Sequence, residues 1–139
     1  MEGLVKTLAT LISGGVIGYL IKHVLALQYV KKVEELNKKR FVYEVLTETL
    51  GVFISGRTPS DEQKDLFLNT YSKCWLWASD AVVKEIGNFL DTQIALAKGE
   101  DARQECMKQK YVSCLIAMRK DIGFSRTRLK DEDHKFVRF

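Results

Sequence analysis

One long uncharged apolar segment near the N-terminus constrains this chain more than any other feature. From Thr7 to Ile21 the sequence carries no charged side chain, and Lys6 and Lys22 stand on either side of that run. A helix that crosses a bilayer needs about 20 mostly apolar residues, and the stretch from Leu4 to Ile21, with the apolar residues that follow it, supplies that length. The sequence therefore predicts a transmembrane anchor over residues 1–30.

Two other interpretations of this segment compete with a membrane span. A cleaved signal peptide needs a basic leading end and a small-residue cleavage site. Here Met1-Glu2-Gly3 balances acid and base, and no small-residue pair follows Tyr19. A buried or interfacial helix would gather its apolar residues on one stripe, whereas these go round most of the helical wheel. The span is the interpretation that the residues favour.

Basic residues near the ends of the predicted span set its orientation. Lys6 and the terminal amine precede it, whereas many cations follow it: Lys22, Lys31, Lys32, Lys38, Lys39 and Arg40. The excess places the N-terminus outside and the C-terminal part in the cytoplasm, as in a single-pass protein of the inner (cell) membrane. The formal net charge of +4 suits a domain held near an anionic inner leaflet.

The rest of the chain predicts helix without strands. Pro59 is the only proline, and no alternation typical of strands stands out. Residues 31–40 are mostly charged and predict a solvated neck. The first helix then continues to about Ile54, because four apolar residues recur at steps of three and four: Tyr43, Leu46, Leu50 and Phe53.

Turn and capping residues divide the remainder into three further helices. Thr58 is the expected cap of the second helix, with Pro59 at its first position. A cap near Ser79 opens the third helix, and Lys98-Gly99 ends it. The fourth runs from about Asp101 to Ile122.

Gly123 closes this fourth helix. The last residues, from Thr127 on, either begin a short turn or lie extended over the domain through Leu129, Phe136, Val137 and Phe139. The fold class is therefore all-α: an N-terminal transmembrane helix continues into a small antiparallel bundle of about four helices. The bundle forms one cytoplasmic domain over residues 31–139.

Three short stretches resemble small uncharacterised bacterial single-pass membrane proteins that have a compact helical cytoplasmic domain. They are Tyr71–Val82 (YSKCWLWASDAV), Met118–Gly123 (MRKDIG) and Thr127–Leu129 (TRL). The likeness covers roughly Leu66 to Phe139. It implies a bacterial or phage origin, and no established activity accompanies it.

The sequence offers no arrangement suited to catalysis or metal binding. Cys74, Cys106 and Cys114 form no closely spaced pair, and His23 and His134 lie far apart. A zinc site needs clustered ligands, and nucleophilic catalysis needs a base beside the nucleophile. We therefore predict reduced thiols, no metal, no cofactor and no enzymatic activity.

A stripe of small residues marks the predicted span. Thr10, Gly14 and Gly18 recur every four residues and so share one helix face. Small residues let two membrane helices approach closely, which predicts a homo-oligomer associated through this stripe. The alternative is that glycine is simply common in membrane helices.

Two further groups of residues carry binding hypotheses. Trp75 and Trp77 cannot both face one narrow core stripe, so one of them is a candidate partner contact; the alternative is that neighbouring helices pack both. A basic run is a candidate site for lipid head groups or another anion, and its alternative is a solvated helix face. The run consists of Lys108, Lys110, Arg119, Lys120, Arg126, Arg128 and Lys130.

Nucleic acid is the less favoured anion, since no helix-turn-helix pattern is present. Arg119 and Asp121 are also expected to tie the end of the fourth helix to the C-terminal tail.

Together the features predict a membrane-anchored interaction module, an adaptor or regulator that binds an unidentified protein and self-associates. The alternative is a membrane effector, whose span oligomerises to perturb the bilayer when the domain senses a partner or ligand. A third interpretation is an enzyme or nucleic-acid binder that happens to be anchored.

Overall fold

The chain is all-helical throughout the part that the structure describes. This computed structural model describes residues 2–54, 58–99 and 104–137, with the backbone alone for residues 2, 4–14 and 104. Those ranges hold four α-helices and one short 3₁₀ turn, and no strand. The elements are α1 (Glu2–Ile54), α2 (Asp61–Trp77), α3 (Asp80–Ala97), α4 (Gln104–Asp121) and the turn Asp131–Asp133. The prediction of an all-α fold with about four helices is confirmed.

The chain divides into two compact units, Met1–Leu36 and Asn37–Phe139. This boundary falls inside the predicted neck, residues 31–40. In the first unit, the described side chains of α1 are nearly all exposed. Within the described residues, no helix combines enough length with enough apolar character to cross a membrane. Residues 4–14 of the predicted span lie outside the described side chains.

The second unit is a bundle in which consecutive helices run in opposite directions. Near the start of this unit, Lys38 of α1 lies over the ring of Trp77, the last residue of α2. At the other end of α1, Phe53 packs edge-on against Phe67, with 5.3 Å between ring centroids. Phe53 also contacts Phe89, midway along α3, whereas Ser79, the N-cap of α3, bonds Asp121 beside Tyr43 at the other end. Helix α2 is therefore antiparallel to α1, and α3 is parallel to it.

Helix α4 completes the bundle by running antiparallel to α1. Its last residue, Asp121, pairs with Lys39 of α1 at 3.0 Å. Nearer its start, the Tyr111 hydroxyl donates to the Thr47 carbonyl at 3.5 Å. As the α1 residue number rises, the contacting α4 number falls, as the antiparallel prediction requires.

The core lies between the four helices of this second unit. Three of the four residues in the predicted α1 seam, Tyr43, Leu46 and Leu50, are buried, and Phe53 is partly buried. Each such burial contributes about 1.5–3 kcal/mol relative to an exposed side chain. Val42 of α1 is buried as well, and the other helices supply Phe67, Cys74, Val82, Ile86, Phe89, Met107, Val112, Cys114 and Met118.

The start of α2 corrects one sequence prediction. The N-cap is Ser60, not Thr58, and Pro59 lies outside the helix. The Ser60 hydroxyl accepts from the Gln63 backbone N–H at 3.3 Å, while the Gln63 side chain accepts from the Ser60 N–H at 2.9 Å. This reciprocal pair satisfies two backbone donors that the helix itself leaves unpaired. It therefore outcompetes the start two residues earlier.

Glycines end α3 and α4 as predicted. Gly99 has φ +73° and Gly123 has φ +116°, both in the left-handed region that favours glycine. After α4, the Phe124 N–H donates to the Arg119 carbonyl and the Gly123 N–H to the Lys120 carbonyl. This is the Schellman arrangement, and it turns the chain back along α4.

The C-terminal tail combines the two predicted alternatives, but its short turn lies four residues beyond the predicted start at Thr127. It contains a short turn, at Asp131–Asp133, and an extended part that reaches Tyr111 of α4. His134 and Phe136 lie 6.1 and 6.4 Å from the Tyr111 ring, centroid to centroid. Leu129 and Val137 remain exposed, and Phe139 lies outside the described residues.

Candidate functional site

A polar cluster closes one end of the bundle around the carboxylate of Asp121. Tyr43 donates its hydroxyl proton to this carboxylate at 2.5 Å, and Lys39 donates at 3.1 Å. The side chain of Asp121 is only 12% exposed and that of Lys39 24%. Charged groups at such burial need partners, and here both have them.

The cluster shifts the pKa of its members in opposite directions. Burial alone would raise the pKa of Asp121, but hydrogen bonds from Tyr43, Lys39 and Ser79, together with the Lys39 charge, bring it below its ordinary value. Burial raises the pKa of Tyr43, and its hydrogen bond to Asp121 raises it further. The cluster thus holds a carboxylate and a neutral phenol across neutral pH, which suits a structural tie between α1 and α4.

The expected ties from α4 to the tail are only half present. Arg119 does reach the tail, since its Nε donates to the Thr127 hydroxyl at 3.3 Å. Asp121 instead faces α1, where Lys39 and Tyr43 hold it. The sequence placed its partner in the tail because nothing local reveals a contact across about 80 residues.

The predicted basic run does not form one surface. Lys108 lies near the start of α4, pairs with Glu105 at 3.6 Å and sits over the Phe136 ring. Lys110 is half-buried on the same helix. The remaining five are exposed: Arg119, Lys120, Arg126 and Arg128 lie at the opposite end of α4 and in the segment after it, and Lys130 lies further along the tail.

Exposed aromatic side chains accompany these last cations. Phe124, in the turn after α4, is 51% exposed and carries the Arg119 guanidinium 4.2 Å from its ring centroid. Phe41, on α1, is 61% exposed and follows the exposed Arg40. We use the name basic end for six exposed residues that lie at this end of the bundle: Arg40, Phe41, Arg119, Phe124, Arg126 and Arg128.

Charge is distributed unevenly between the two ends of the bundle. Among the described residues, no carboxylate pairs with any of the arginines of the basic end. The far end, where α2 and α4 begin and α3 finishes, carries the exposed carboxylates Asp61, Glu62, Asp65, Asp91 and Glu105. Two of these carboxylates are paired, Asp61 with Lys64 and Glu105 with Lys108, and Glu44 lines the same groove as Arg40 and Arg119. The difference in charge between the two ends therefore depends on the unpaired arginines and on Glu62, Asp65 and Asp91.

Helix α2 also carries apolar residues on the face that points away from the core. Leu68, Trp75 and Leu76 are 58%, 65% and 75% exposed, and their spacing places them on one side of the helix. Ser72 lies among them, but its hydroxyl donates to the Leu68 carbonyl. Trp77, by contrast, is partly buried beneath Lys38 and packs against the core. Of the two tryptophans, Trp75 is thus the one available to a partner.

A groove of about 750 Å³ separates α4 from the tail. Lysines line it at Lys108, Lys120 and Lys130, but Glu105 pairs with the first and Glu132 with the last. The opposing charges leave little net attraction for an anion. The part of the basic run that lies here is therefore a weak anion site.

Two of the three cysteines are buried in the core of the bundle. Cys74 and Cys114 are fully buried, and burial raises the pKa of Cys74 to about 11 and that of Cys114 to about 12. Cys106 is half-buried. No group of three metal-binding side chains occurs among the residues that the structure describes.

The glycine stripe lies mostly outside the described side chains. Thr10 and Gly14 fall there, whereas Gly18 is described and exposed. A Cβ atom added at Gly15 or Gly18 would meet nothing within 4 Å. Neither glycine is therefore required by a close contact within the chain itself.

No protein-family model, curated protein or solved structure matches this chain. The site must be judged from its own residues. Sequence reasoning found Arg119, Arg126, Arg128 and Trp75, because charge and aromatic size are visible in the sequence. It missed Arg40, Phe41 and Phe124, since only the fold shows that α1 and the turn after α4 meet at one end. Only proximity to arginines marks the two phenylalanines in the sequence: Phe41 directly follows Arg40, and Phe124 lies two residues before Arg126.

Proposed function

We propose that this chain is a membrane-anchored helical interaction module that self-associates through its N-terminal helix. The predicted anchor is the apolar first part of α1, and the bundle of residues 37–139 is the interaction domain in the cytoplasm. The proposal retains the stripe of Thr10, Gly14 and Gly18 as the contact between copies.

The observation that carries the proposal is the exposure of apolar side chains on the part of α1 that belongs to the first unit. Val16, Ile17, Leu20 and Ile21 are each between 53% and 56% exposed. Consecutive residues point in directions about 100° apart, so these four cover one side of the helix, and the exposed Tyr19 and Leu25 extend the apolar surface to about two thirds of its circumference. A helix with so wide an apolar surface is stable when lipid or other helices cover it.

The second half of the same helix provides a contrast. There the apolar residues gather on one side, and Leu46 and Leu50 are completely buried in the bundle. One helix thus has an amphipathic part that the chain itself covers and an apolar part that it leaves exposed. This difference supports an anchor followed by a folded domain.

The outer face of α2 supports the interaction part of the proposal. Leu68, Trp75 and Leu76 form an apolar surface that no described residue covers. Contiguous exposed apolar surface on a folded domain is typical of protein interfaces. Trp75 at its centre is a suitable anchor, since tryptophan is enriched among residues that dominate binding energy.

The decisive experiment is extraction of membranes from cells that express the full chain. An integral protein remains in the pellet after washing with alkaline carbonate. Leu20→Arg places a charge inside the predicted span and should reduce the membrane-bound fraction, because a charge at the bilayer centre costs about 2.5–3.5 kcal/mol. Val33→Arg, in the charged stretch that follows, is the matched control and should remain bound. Recovery of the unaltered chain in the soluble fraction without detergent would overturn the anchor.

A further inference from the structure

We propose that the basic end of the bundle docks on an anionic lipid surface. This inference deepens the proposed function, on which it rests for bringing the bundle to a membrane. The occupant is the head-group layer of a bilayer that contains acidic lipids. The contact surface consists of Arg40, Phe41, Arg119, Phe124, Arg126 and Arg128.

Charge complementarity identifies this occupant. The arginines of the basic end have no carboxylate partner among the described residues, whereas the far end of the bundle is rich in exposed carboxylates. Glu44 lines the same groove as Arg40 and Arg119 and offsets part of their charge, so Arg126 and Arg128 in the segment after α4 supply most of the attraction to an anionic surface. Each cation near such a surface contributes about fivefold to binding, and the attraction is screened by salt.

The aromatic residues distinguish a lipid surface from a purely ionic partner. Phe41 and Phe124 are more than half exposed beside arginines, and the Arg119 guanidinium covers part of the Phe124 ring. Aromatic rings and arginine stems both bury apolar atoms at a membrane interface while the charged groups stay in water. An ionic surface alone would make no use of the two rings.

Hydrogen bonds fix the conformation of the turn that carries Phe124. The Phe124 N–H donates to the Arg119 carbonyl, and the Thr127 N–H donates to the Phe124 carbonyl. The Arg119 side chain also bonds Thr127. The turn therefore presents Phe124, Arg126 and Arg128 in one arrangement, which lowers the entropy that docking would otherwise cost.

Limited trypsin digestion of the full chain in lipid vesicles tests the proposal. Arg126 and Arg128 are exposed in the turn and are natural cleavage sites, while Lys98, exposed at the far end of the bundle, is the internal control. In vesicles with about a third phosphatidylserine, cleavage after Arg126 and Arg128 should slow about fivefold or more relative to phosphatidylcholine vesicles. Cleavage after Lys98 should not slow, and high salt should abolish the difference.

Two charge reversals provide the matched comparison. Arg40→Glu removes a cation from the basic end without altering a tail cleavage site, and it should restore cleavage after Arg126 about fivefold or more. Lys135→Glu makes the same change in charge in the tail beside His134 and should leave the protection intact. Circular dichroism of both variants checks that the bundle is still helical.

Several results would overturn the docking proposal. Equal cleavage after Arg126 in the two kinds of vesicle is one, and equal protection at Lys98 is another. Protection by DNA but not by acidic vesicles would assign the surface to nucleic acid instead. Carbonate extraction reports the anchor separately: an anchored chain without protection contradicts docking alone, and protection of an extractable chain contradicts the anchor alone.

Discussion

The hydroxyl of Tyr43, in α1, donates a hydrogen bond to the carboxylate of Asp121, the last residue of α4. Lys39, one helical turn before Tyr43, donates to the same carboxylate. These bonds connect the first and last helices of the bundle at the end where the tail begins. Asp121 lies two residues before Gly123, so the tie also fixes the point from which the basic end projects.

Replacing Asp121 with asparagine should destabilise the bundle by about 2 kcal/mol. The variant loses the charge that Lys39 faces, and a hydrogen bond to a charged group contributes about 1.5–3 kcal/mol. Urea unfolding followed by circular dichroism measures the change. Glu132→Gln is the control, because its ion pair with Lys130 is exposed and such pairs contribute about 0–1 kcal/mol. Equal losses from the two variants would show that the buried tie has no special role.

The difference in stability between the unaltered chain and Asp121→Asn should also depend on pH. The pKa of Asp121 is lowered in the fold from its ordinary value of 3.8. Its contribution is therefore complete above that ordinary value and is lost as the pH falls through the lower folded value. The difference in unfolding free energy between the unaltered chain and Asp121→Asn should be constant from neutral pH to about pH 5 and shrink below pH 4. A difference that grows in acid would contradict the lowered pKa.

The start of α2 provides a second prediction. Ser60→Ala removes the hydroxyl that accepts from the Gln63 N–H, and loss of such a cap costs about 1 kcal/mol. Thr58→Ala alters the residue that sequence alone would choose and should change the stability by no more than a few tenths of a kcal/mol. Thermal unfolding of the two variants decides between the two starts. A larger loss at Thr58 would restore the earlier boundary.

The sequence predicted what local periodicity and turn chemistry control. The spacings of three and four residues between Tyr43, Leu46 and Leu50 can be read from the sequence and predict a buried helix face. Gly99 and Gly123 follow apolar helical stretches and predict helix ends on their own. The predicted cap of α2 was wrong by two residues, because Thr58 and Ser60 are both suitable N-cap residues and the reciprocal bonds between Ser60 and Gln63 favour the later start.

Contacts between residues that lie far apart in the sequence could not be predicted from local periodicity. Asp121 has the same local surroundings whether it faces the tail or α1, and only packing of the bundle brings Tyr43 to it. The candidate binding surface shows the same limit. The cations at Arg119 and Arg126 were found from composition. That most of the length of α4 separates them from Lys108 could not be known before the fold was.

The thiols offer a third prediction. Burial raises the pKa of Cys74 and Cys114 to about 11 and about 12, so at pH 8 both are protonated and shielded. A maleimide reagent should label Cys106 in the folded protein and all three thiols in urea, as counted by mass spectrometry. Cys106→Ser should abolish labelling of the folded protein. Rapid labelling of Cys74 or Cys114 without denaturant would contradict their burial.

The glycine stripe yields the last prediction, because it bears on how two copies meet. Gly14→Ile and Gly18→Ile should each weaken self-association in a membrane two-hybrid assay, since a bulky side chain fills the groove through which the helices approach. Gly15→Ile is the matched control: it adds the same bulk about 100° from Gly14 around the helix. An added Cβ atom at Gly15 or Gly18 would meet no atom within 4 Å.

The comparison between these glycine variants is decisive because each loses a glycine and gains the same apolar side chain. Insertion into the membrane should be alike for all three, and carbonate extraction verifies that. A selective loss of association at Gly14 and Gly18 would place the contact on the stripe with Thr10. If Gly15→Ile associates as poorly as the others, the stripe is not the interface. Any oligomer would then have to be held by the bundle, with the exposed face of Leu68, Trp75 and Leu76 as the next surface to alter.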